Sequence, residues 1–238
     1  MDPPANQGSS DLAARVNWLS RRIAAAAART GRDATAVQVV AVTKLVDDAT
    51  VLAALELGLV DLGENRVQNL LARPDSITAR ARLHLIGPLQ SNKAKKAVRA
   101  IAEFHALERP ELVPLLDREA AAEGKVLPVW LQVNVAREPQ KHGCPPESAA
   151  ELAKLANAAP HLELRGLMTI APLAPDPESS RIHFRALAAL SAELRASGAL
   201  PSAASGLSMG MSNDFEVAVE EGATCLRVGS ALFAEEDA

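Results

Sequence analysis

The chain has 238 residues, of which 48% are hydrophobic and 23% are charged, and it carries a net charge of −4. This composition describes an ordinary globular protein with enough apolar residues for one large domain, and its acidic balance argues against a general nucleic-acid binder. The two cysteines, Cys144 and Cys225, are too few for a disulfide framework. No apolar run reaches the roughly 20 residues of a membrane-spanning helix, so we expect a cytoplasmic protein with neither nucleic-acid nor membrane partners.

Short apolar runs alternate along the chain with segments rich in alanine and leucine. Residues 1–9 lack the pattern of a targeting signal and are predicted to form a flexible tail, which a helix over about 10–30 follows. Strand-like runs then come at 37–44, 59–65, 83–87, 103–107, 126–135, 162–170, 206–212 and 225–233. Helical segments separate them at 48–57, 66–72, 92–100, 109–123, 146–158, 179–197 and 213–221.

Eight strands that alternate with helices predict an α/β protein in which residues 10–238 form a single (β/α)8 TIM barrel domain, because parallel strands need a crossover and a helix supplies it. A doubly wound open sheet is the alternative. Asp48 is predicted to cap the helix over 48–57, and Asn213 with Glu216 fits a capping box. In a barrel of this kind the reactive groups gather at the carboxyl ends of the strands.

Lys44 ends the first strand-like run, "VQVVAVTK". A lysine at the end of an apolar strand is expected to be partly desolvated, which lowers its pKa and leaves more free amine to attack an aldehyde. The alternative is a lysine that extends into solvent or pairs with Asp47 or Asp48. The other lysines lie in helical or loop contexts, so Lys44 is the candidate Schiff-base residue.

Small residues form a loop after each of the last two strands. "LSMGMSND" contains Ser208 and Ser212, and "RVGSA" contains Gly229 and Ser230. Barrels commonly bind phosphate at this position, because small residues let backbone N–H groups approach the anion and a helix N-terminus adds a favourable dipole. Ordinary turns use the same residue types, so a purely structural role stays open.

Arg227 shares a strand face with Cys225 and Gly229, because alternate residues of a strand point to the same side. An arginine that faces into a barrel needs a partner. That partner is either a ligand atom that accepts a hydrogen bond or a carboxylate such as Glu64, and the residues alone leave both open.

The remaining charged and ligating residues give no further site. His84 and His105 lie within strand-like runs and are interpreted as satisfied core histidines, and no histidine or cysteine spacing predicts a metal site. The basic cluster of Lys93, Lys95 and Lys96 is interpreted as a solvated helix face.

Six blocks of the sequence together resemble the pyridoxal phosphate homeostasis proteins, a family similar to the N-terminal barrel domain of alanine racemase. The blocks occur in order between about residues 38 and 234, and they read "AVTKL", "DLGENRVQNLL", "HLIGPLQSNKAK", "QVNVAREPQKHGC", "LRGLMTIAP" and "LSMGMSNDFEVAVEEGATCLRVGSALF". The resemblance implies a barrel that binds pyridoxal 5′-phosphate (PLP) and takes part in vitamin B6 homeostasis. Arg66 and Ser230 depart from the commoner family pattern, but Ser230 keeps the hydroxyl group.

The resemblance also implies a role for each candidate residue. Lys44 matches the lysine that forms the PLP aldimine, and Arg227 matches the arginine that faces the pyridine nitrogen. Asn65 matches a residue that lines the cofactor pocket. The phosphate-binding segments of the family are matched by Ser208, Ser212, Gly229 and Ser230.

Three functions share these residues: a non-catalytic PLP carrier, a PLP-dependent amino-acid racemase, and a Schiff-base aldolase. Racemisation by the alanine racemase route uses a lysine and a tyrosine as two bases, and this chain contains no tyrosine, so a partner subunit would have to supply one. We therefore expect the carrier. Its expected partners are PLP and apo forms of PLP-dependent enzymes, and we expect a monomer.

Overall fold

The structure, a computed structural model, describes residues 9–233. The predicted tail, residues 1–9, lies outside this range except for Ser9, at which the first helix begins. The strands are β1 (Gln38–Val42), β2 (Asp61–Glu64), β3 (Arg82–Leu85), β4 (Glu103–Leu107), β5 (Leu127–Gln132), β6 (Leu162–Met168), β7 (Gly206–Ser208) and β8 (Cys225–Val228). The helices are α1 (Ser9–Arg29), α2 (Asp48–Glu56), α3 (Val67–Ala72), α4 (Asp75–Thr78), α5 (Ala94–Ala100), α6 (Leu112–Ala122), α7 (Ala149–Asn157), α8 (Arg181–Ala196), α9 (Phe215–Glu220) and α10 (Ser230–Phe233).

The eight strands form a closed parallel barrel in chain order. β1 pairs with β2 on one side and with β8 on the other, with Ala41 opposite both Leu62 and Val228. The predicted (β/α)8 barrel is confirmed, and the open sheet is wrong because β8 returns to β1 instead of leaving an edge. Every strand begins within two residues of the start of its predicted run, but β7 ends at Ser208 and not at residue 212, and β8 ends at Val228 and not at residue 233.

Two apolar regions stabilise the barrel. The larger one lies between the strands and the surrounding helices and includes Val51 of α2, Leu116 of α6 and Phe184 of α8, all fully buried. The smaller one lies inside the barrel and consists of residues that alternate along their strands: Val40, Val42, Ile86, Trp130, Met168 and Cys225. Alternation therefore identifies which positions of each strand face the interior.

The N-terminal helix α1 packs against α9. Trp18 meets Phe215 edge to face at a ring-centroid distance of 5.9 Å, and Arg22 and Arg29 both pair with Glu216. The predicted capping box is wrong, because Glu216 turns to α1 instead of returning to the helix start. No helix within residues 9–233 has both the length and the apolar character needed to cross a membrane.

Two further helix starts differ from the predictions. Asp47 caps α2 in place of Asp48, since its side chain accepts a hydrogen bond from the backbone N–H of Thr50. β8 ends at Val228 and not at residue 233, because the chain turns at Gly229 into the short helix α10. This turn brings a helix N-terminus to the carboxyl end of the barrel.

The close approach of β6 and β7 depends on Gly166. A Cβ atom on Gly166 would lie 1.9 Å from the carbonyl oxygen of Gly206, which is backbone and has no side chain to move away. We expect Gly166→Ala to lower the free energy of unfolding in urea by about 3 kcal/mol or more, since overpacking of a rigid core is costly.

Gly31→Ala is the matched control for this substitution. Gly31 also has a positive φ, 68°, but a Cβ there meets nothing within 4 Å, so only the conformational cost of about 1 kcal/mol is expected. Equal losses of unfolding free energy in the two variants would show that the close approach of β6 and β7 adds no cost to Gly166→Ala.

Candidate functional site

The seven residues predicted for the site all lie at the carboxyl end of the barrel, called the mouth below. Lys44 is two residues beyond β1 and Asn65 immediately follows β2. The others belong to the last two strands and the loops after them: Ser208, Ser212, Arg227, Gly229 and Ser230. Parallel closure is what brings these two sequence regions together, because β1 is hydrogen-bonded to β8.

Lys44 lies in a turn and is exposed. It continues the alternation of Val40 and Val42, which face the barrel interior. The predicted partial desolvation is wrong, because the strand ends at Val42 and the lysine extends past the apolar part of the barrel. Leu45 follows with a positive φ of 63°, a backbone conformation that L-residues other than asparagine and aspartate adopt rarely.

The predicted alternative partners of Lys44 are engaged elsewhere. Asp47 caps α2, and Asp48 accepts a hydrogen bond of 2.7 Å from Arg73. Among the described residues, no carboxylate lies within ion-pair distance of Lys44. Its amine is therefore available at the mouth.

Arg227 is buried, with 3% of its surface exposed. Its Nη1 donates to the Ser208 hydroxyl at 2.7 Å, and its Nη2 donates to the backbone carbonyl of Thr169 at 2.7 Å. Both partners are neutral, and burial lowers the pKa of the guanidinium. A buried cation without a carboxylate is costly, which makes this arginine the most unusual charge of the site.

Glu64 does not pair with Arg227, so that alternative is wrong. Glu64 is on the opposite face of β2 from the interior, where it accepts hydrogen bonds from Thr43 at 2.8 Å and Arg73 at 2.9 Å. Within residues 9–233 no carboxylate comes within 4.0 Å of the Arg227 guanidinium.

The loops after β7 and β8 meet at Ser212. Its hydroxyl oxygen accepts the backbone N–H of Gly229 at 3.2 Å and that of Ala231 at 3.1 Å. Ser230 lies between them, is exposed, and begins α10. The hydroxyl groups of Ser212 and Ser230 therefore lie in one small region at a helix start, a grouping of small polar residues that is typical of phosphate sites.

Ser208 lies apart from that region, although it was predicted for the same role. It is fully buried, and its hydroxyl contacts Arg227 and the Nδ1 atom of His105, the latter at 3.2 Å. The structure therefore gives Ser208 a place beneath Arg227 and not beside the phosphate loops.

Asn65 is exposed at the end of β2. The next strand end approaches it closely, since a Cβ on Gly87 would lie 2.3 Å from the Asn65 carbonyl oxygen. Asn65 continues the alternation of Asp61 and Gly63, and Gly63 faces Val40 inside the barrel. Its position fits a residue that lines the mouth.

A buried polar network lies beneath the mouth, and the sequence did not indicate it. His84 Nδ1 lies 3.0 Å from His105 Nε2, and His84 Nε2 lies 2.8 Å from Asp61. Glu103 accepts a hydrogen bond of 2.7 Å from the Trp130 indole. The interpretation of both histidines as satisfied core residues is confirmed, and strand alternation could have shown that they face inward together.

Burial and charge act on the two ends of this network differently. Burial, followed by the nearness of His84 and of the charged Arg227, holds the pKa of His105 well below its usual range. Burial acts against ionisation of Asp61, but hydrogen bonds from His84 and Gln38 outweigh it, so the pKa of Asp61 is lowered. His105 is thus the neutral ring and Asp61 the ionised end.

Comparison with known proteins first identifies the class of barrel. A family model described as "Alanine racemase, N-terminal domain" matches residues 16–237. Diaminopimelate decarboxylase from M. jannaschii has a TM-score of 0.74 over 95% of this chain and 60% of its own, but at 15% identity this shows the fold alone.

Closer relatives identify the family. The pyridoxal phosphate homeostasis protein of Aquifex aeolicus is 37% identical over 93% of this chain and 96% of its own length, and that of Pseudomonas aeruginosa is 38% identical over 96% and 97%. PipY of Synechococcus elongatus, solved with PLP bound, is 33% identical with a TM-score of 0.78 and covers 90% of this chain and 99% of its own. The chain belongs to the pyridoxal phosphate homeostasis protein family.

The depressed pKa of His105 has a consequence for stability. Below about pH 6.5 the unfolded chain takes up a proton at this ring and the folded protein does not. Stability from this residue is therefore complete above that pH and is lost as the pH falls toward the folded-state pKa, by about 1.4 kcal/mol per pH unit. Free energies of unfolding in urea should show no slope from this residue between about pH 7.5 and 6.5 and this slope between about pH 6.5 and 5.

His105→Asn should unfold at a lower urea concentration than the wild type. Its free energy of unfolding should also depend less steeply on pH over the same range. His161→Asn is the control, because that ring is 41% exposed at its side chain and its removal should leave the slope unchanged. A slope that His105→Asn does not alter would contradict the assignment.

Proposed function

We propose that this protein binds PLP at the barrel mouth, holds it through Lys44, and serves vitamin B6 homeostasis as a carrier without robust catalytic activity of its own. The observation that carries the proposal is the buried guanidinium of Arg227 with only neutral partners. The names of the relatives and the PLP bound to PipY support it.

The residues of the mouth fit the chemical groups of PLP. An arginine only donates hydrogen bonds, so Arg227 suits an unprotonated ring nitrogen. The hydroxyl groups of Ser212 and Ser230 suit the phosphate, with Gly229 beside them, whose backbone N–H donates to the Ser212 hydroxyl. Asn65 would line the side of the pocket. Ser208 would act from beneath, by fixing the Arg227 side chain.

Lys44 supplies the tether in this proposal. When bound, PLP supplies an aldehyde that reacts with amines and a ring that withdraws electrons. The Nζ atom of Lys44 would attack the aldehyde carbon, a C=N bond would form, and water would leave. Exposure of the amine favours exchange of the cofactor over its permanent enclosure.

Arginine at the ring nitrogen favours a carrier over a racemase. It does not stabilise a protonated ring, so electron withdrawal by the ring is weak. The sequence also contains no tyrosine to act as a second base. A racemase, or a Schiff-base aldolase, therefore has less support than the carrier.

We further propose that the protein works in the cytoplasm as a monomer and that apo forms of PLP-dependent enzymes receive PLP from it. The exposed position of Lys44 supports this proposal, because an incoming amine can reach the tether from solvent.

The tether can be tested by reduction. Protein incubated with PLP should show an imine absorption band, and borohydride should fix the cofactor to Lys44, as located by peptide mass spectrometry. Lys44→Ala should lose the band and keep its circular dichroism spectrum, because the residue is exposed and outside the strand. Lys95→Ala, an exposed helical lysine, is the control and should retain the band.

A colourless protein that takes up no PLP would overturn the tether proposal, as would cofactor fixed on another lysine. Turnover of a D- or L-amino acid by the isolated protein would instead support the racemase.

The phosphate loops can be tested separately from the tether. Ser212→Ala removes a hydroxyl and should lower PLP affinity about tenfold, as expected for the loss of one hydrogen bond to a charged group. Affinity for pyridoxal, which has no phosphate, should not change. An equal loss for both compounds would mean that the substitution disturbs the whole mouth.

A further inference from the structure

A chain of hydrogen bonds crosses the barrel from its amino end to its mouth. Asp61 is the first residue of β2, and Arg227 is the last but one of β8. The side chains between them are His84, His105 and Ser208, and the successive distances from Asp61 to Arg227 are 2.8, 3.0, 3.2 and 2.7 Å. The three middle residues are fully buried.

The two histidines bond directly to each other. His84, Glu103 and His105 bring together three atoms of the type that bind metals. The two ring nitrogens are 3.0 Å apart. If both pointed at a shared ion about 2.0 Å away, the ring centroids would be about 4.7 Å apart. A linear N–H···N hydrogen bond of the same length places the centroids about 5.3 Å apart. The centroids are 5.2 Å apart, which fits the direct hydrogen bond.

The ends of the chain fix the direction of its hydrogen bonds. Arg227 can only donate, and the ionised Asp61 can only accept. With one proton on His84, each member donates toward Asp61: Ser208 to His105 Nδ1, His105 Nε2 to His84 Nδ1, and His84 Nε2 to Asp61. The neutral His105 ring then carries its proton on Nε2.

A second proton on His84 reverses the direction of the hydrogen bonds that join His84, His105 and Ser208. His84 Nδ1 then donates to His105 Nε2, and His105 must carry its proton on Nδ1, where it points at Ser208. Ser208 accepts from both His105 and Arg227, so its own hydroxyl proton turns away, and Cys225 is a partner within reach. One proton taken up at the amino end thus changes the hydrogen bonding of Ser208, the residue that holds Arg227.

The surroundings of His84 accommodate that second proton. Glu103 lies 3.3 Å from His84 Nδ1 and 3.9 Å from His105 Nε2. The other charged groups that face the network are Arg82, 3.4 Å from Asp61, Arg165, 3.8 Å from Glu103, and Asp214, whose negative charge acts on Arg227. Both ring nitrogens of a doubly protonated His84 therefore have carboxylate oxygens nearby.

Protons can reach the network from the amino end. The Asp61 side chain is 13% exposed, and Gln38 donates a hydrogen bond to it. Gln38 also lines a depression of about 520 Å³ together with Trp130, which bonds to Glu103. The depression therefore borders Gln38 and Trp130, each of which is hydrogen-bonded to one of the two carboxylates.

We propose that His105 is a positioning residue for Arg227, and that the His84–His105 pair transmits proton uptake at the amino end of the barrel to the guanidinium at the mouth. The effect of this proton uptake on the cofactor rests on the proposed PLP site. The change of tautomer at His105 does not depend on that site.

The tautomer of His105 tests the proposal in the protein without PLP. In protein labelled with 15N-histidine, long-range 1H–15N spectra should show neutral His105 with its proton on Nε2 at high pH and on Nδ1 once His84 is doubly protonated. In His84→Asn, His105 should keep one tautomer at every pH. A single tautomer of His105 at every pH at which the wild-type protein stays folded would overturn the proposal.

The PLP-loaded protein gives a second readout. The pH midpoint of the imine absorption should shift by about 0.5 unit or more in His84→Asn, because the hydrogen bonding around Arg227 no longer responds to proton uptake at the amino end. His161→Asn should match the wild type. An unshifted midpoint in His84→Asn would overturn transmission to the cofactor. Failure of the wild-type protein to bind PLP would contradict the proposed function, and the tautomer result would then decide the positioning role of His105.

Discussion

The buried guanidinium of Arg227 is the interaction on which the rest of this barrel depends. Removing a permanent positive charge from water is costly unless carboxylates or several hydrogen bonds compensate. Here a serine hydroxyl and a backbone carbonyl are its hydrogen-bond partners. The arrangement leaves the guanidinium charge without a neutralising carboxylate. Such a donor suits recognition of a hydrogen-bond acceptor on a ligand, but it is poorly suited to stabilising a carbanion on a bound cofactor.

The polar residues of the interior follow from that constraint. Ser208 orients Arg227, His105 orients Ser208, and His84 connects both to the ionised Asp61 at the other end. The charge balance of the interior is thus spread along the length of the barrel and is not concentrated at one ion pair. Lys44 lies outside this network and is exposed, so the proposed tether is separate from the buried charge.

Much of the fold could be predicted from the sequence, because strand runs and amphipathic helices are local patterns. The site was harder to predict. Lys44 was found from its position at a strand end, yet its exposure depends on where β1 stops. The contact between His84 and His105 depends on the register that places His84 opposite Glu103, and no local pattern encodes that register. Ser208 was grouped with Ser212 because they are close in sequence, although strand β7 points its side chain inward.

The protonation state of the cofactor ring tests this account most directly. Protein loaded with PLP that carries 15N at the pyridine nitrogen should give the chemical shift of an unprotonated ring nitrogen at neutral pH. In the proposed site Arg227 would donate to that nitrogen, and no carboxylate within the described residues pairs with this arginine. The shift of a protonated pyridinium would contradict the account, because it would require an acceptor at the position assigned to the guanidinium.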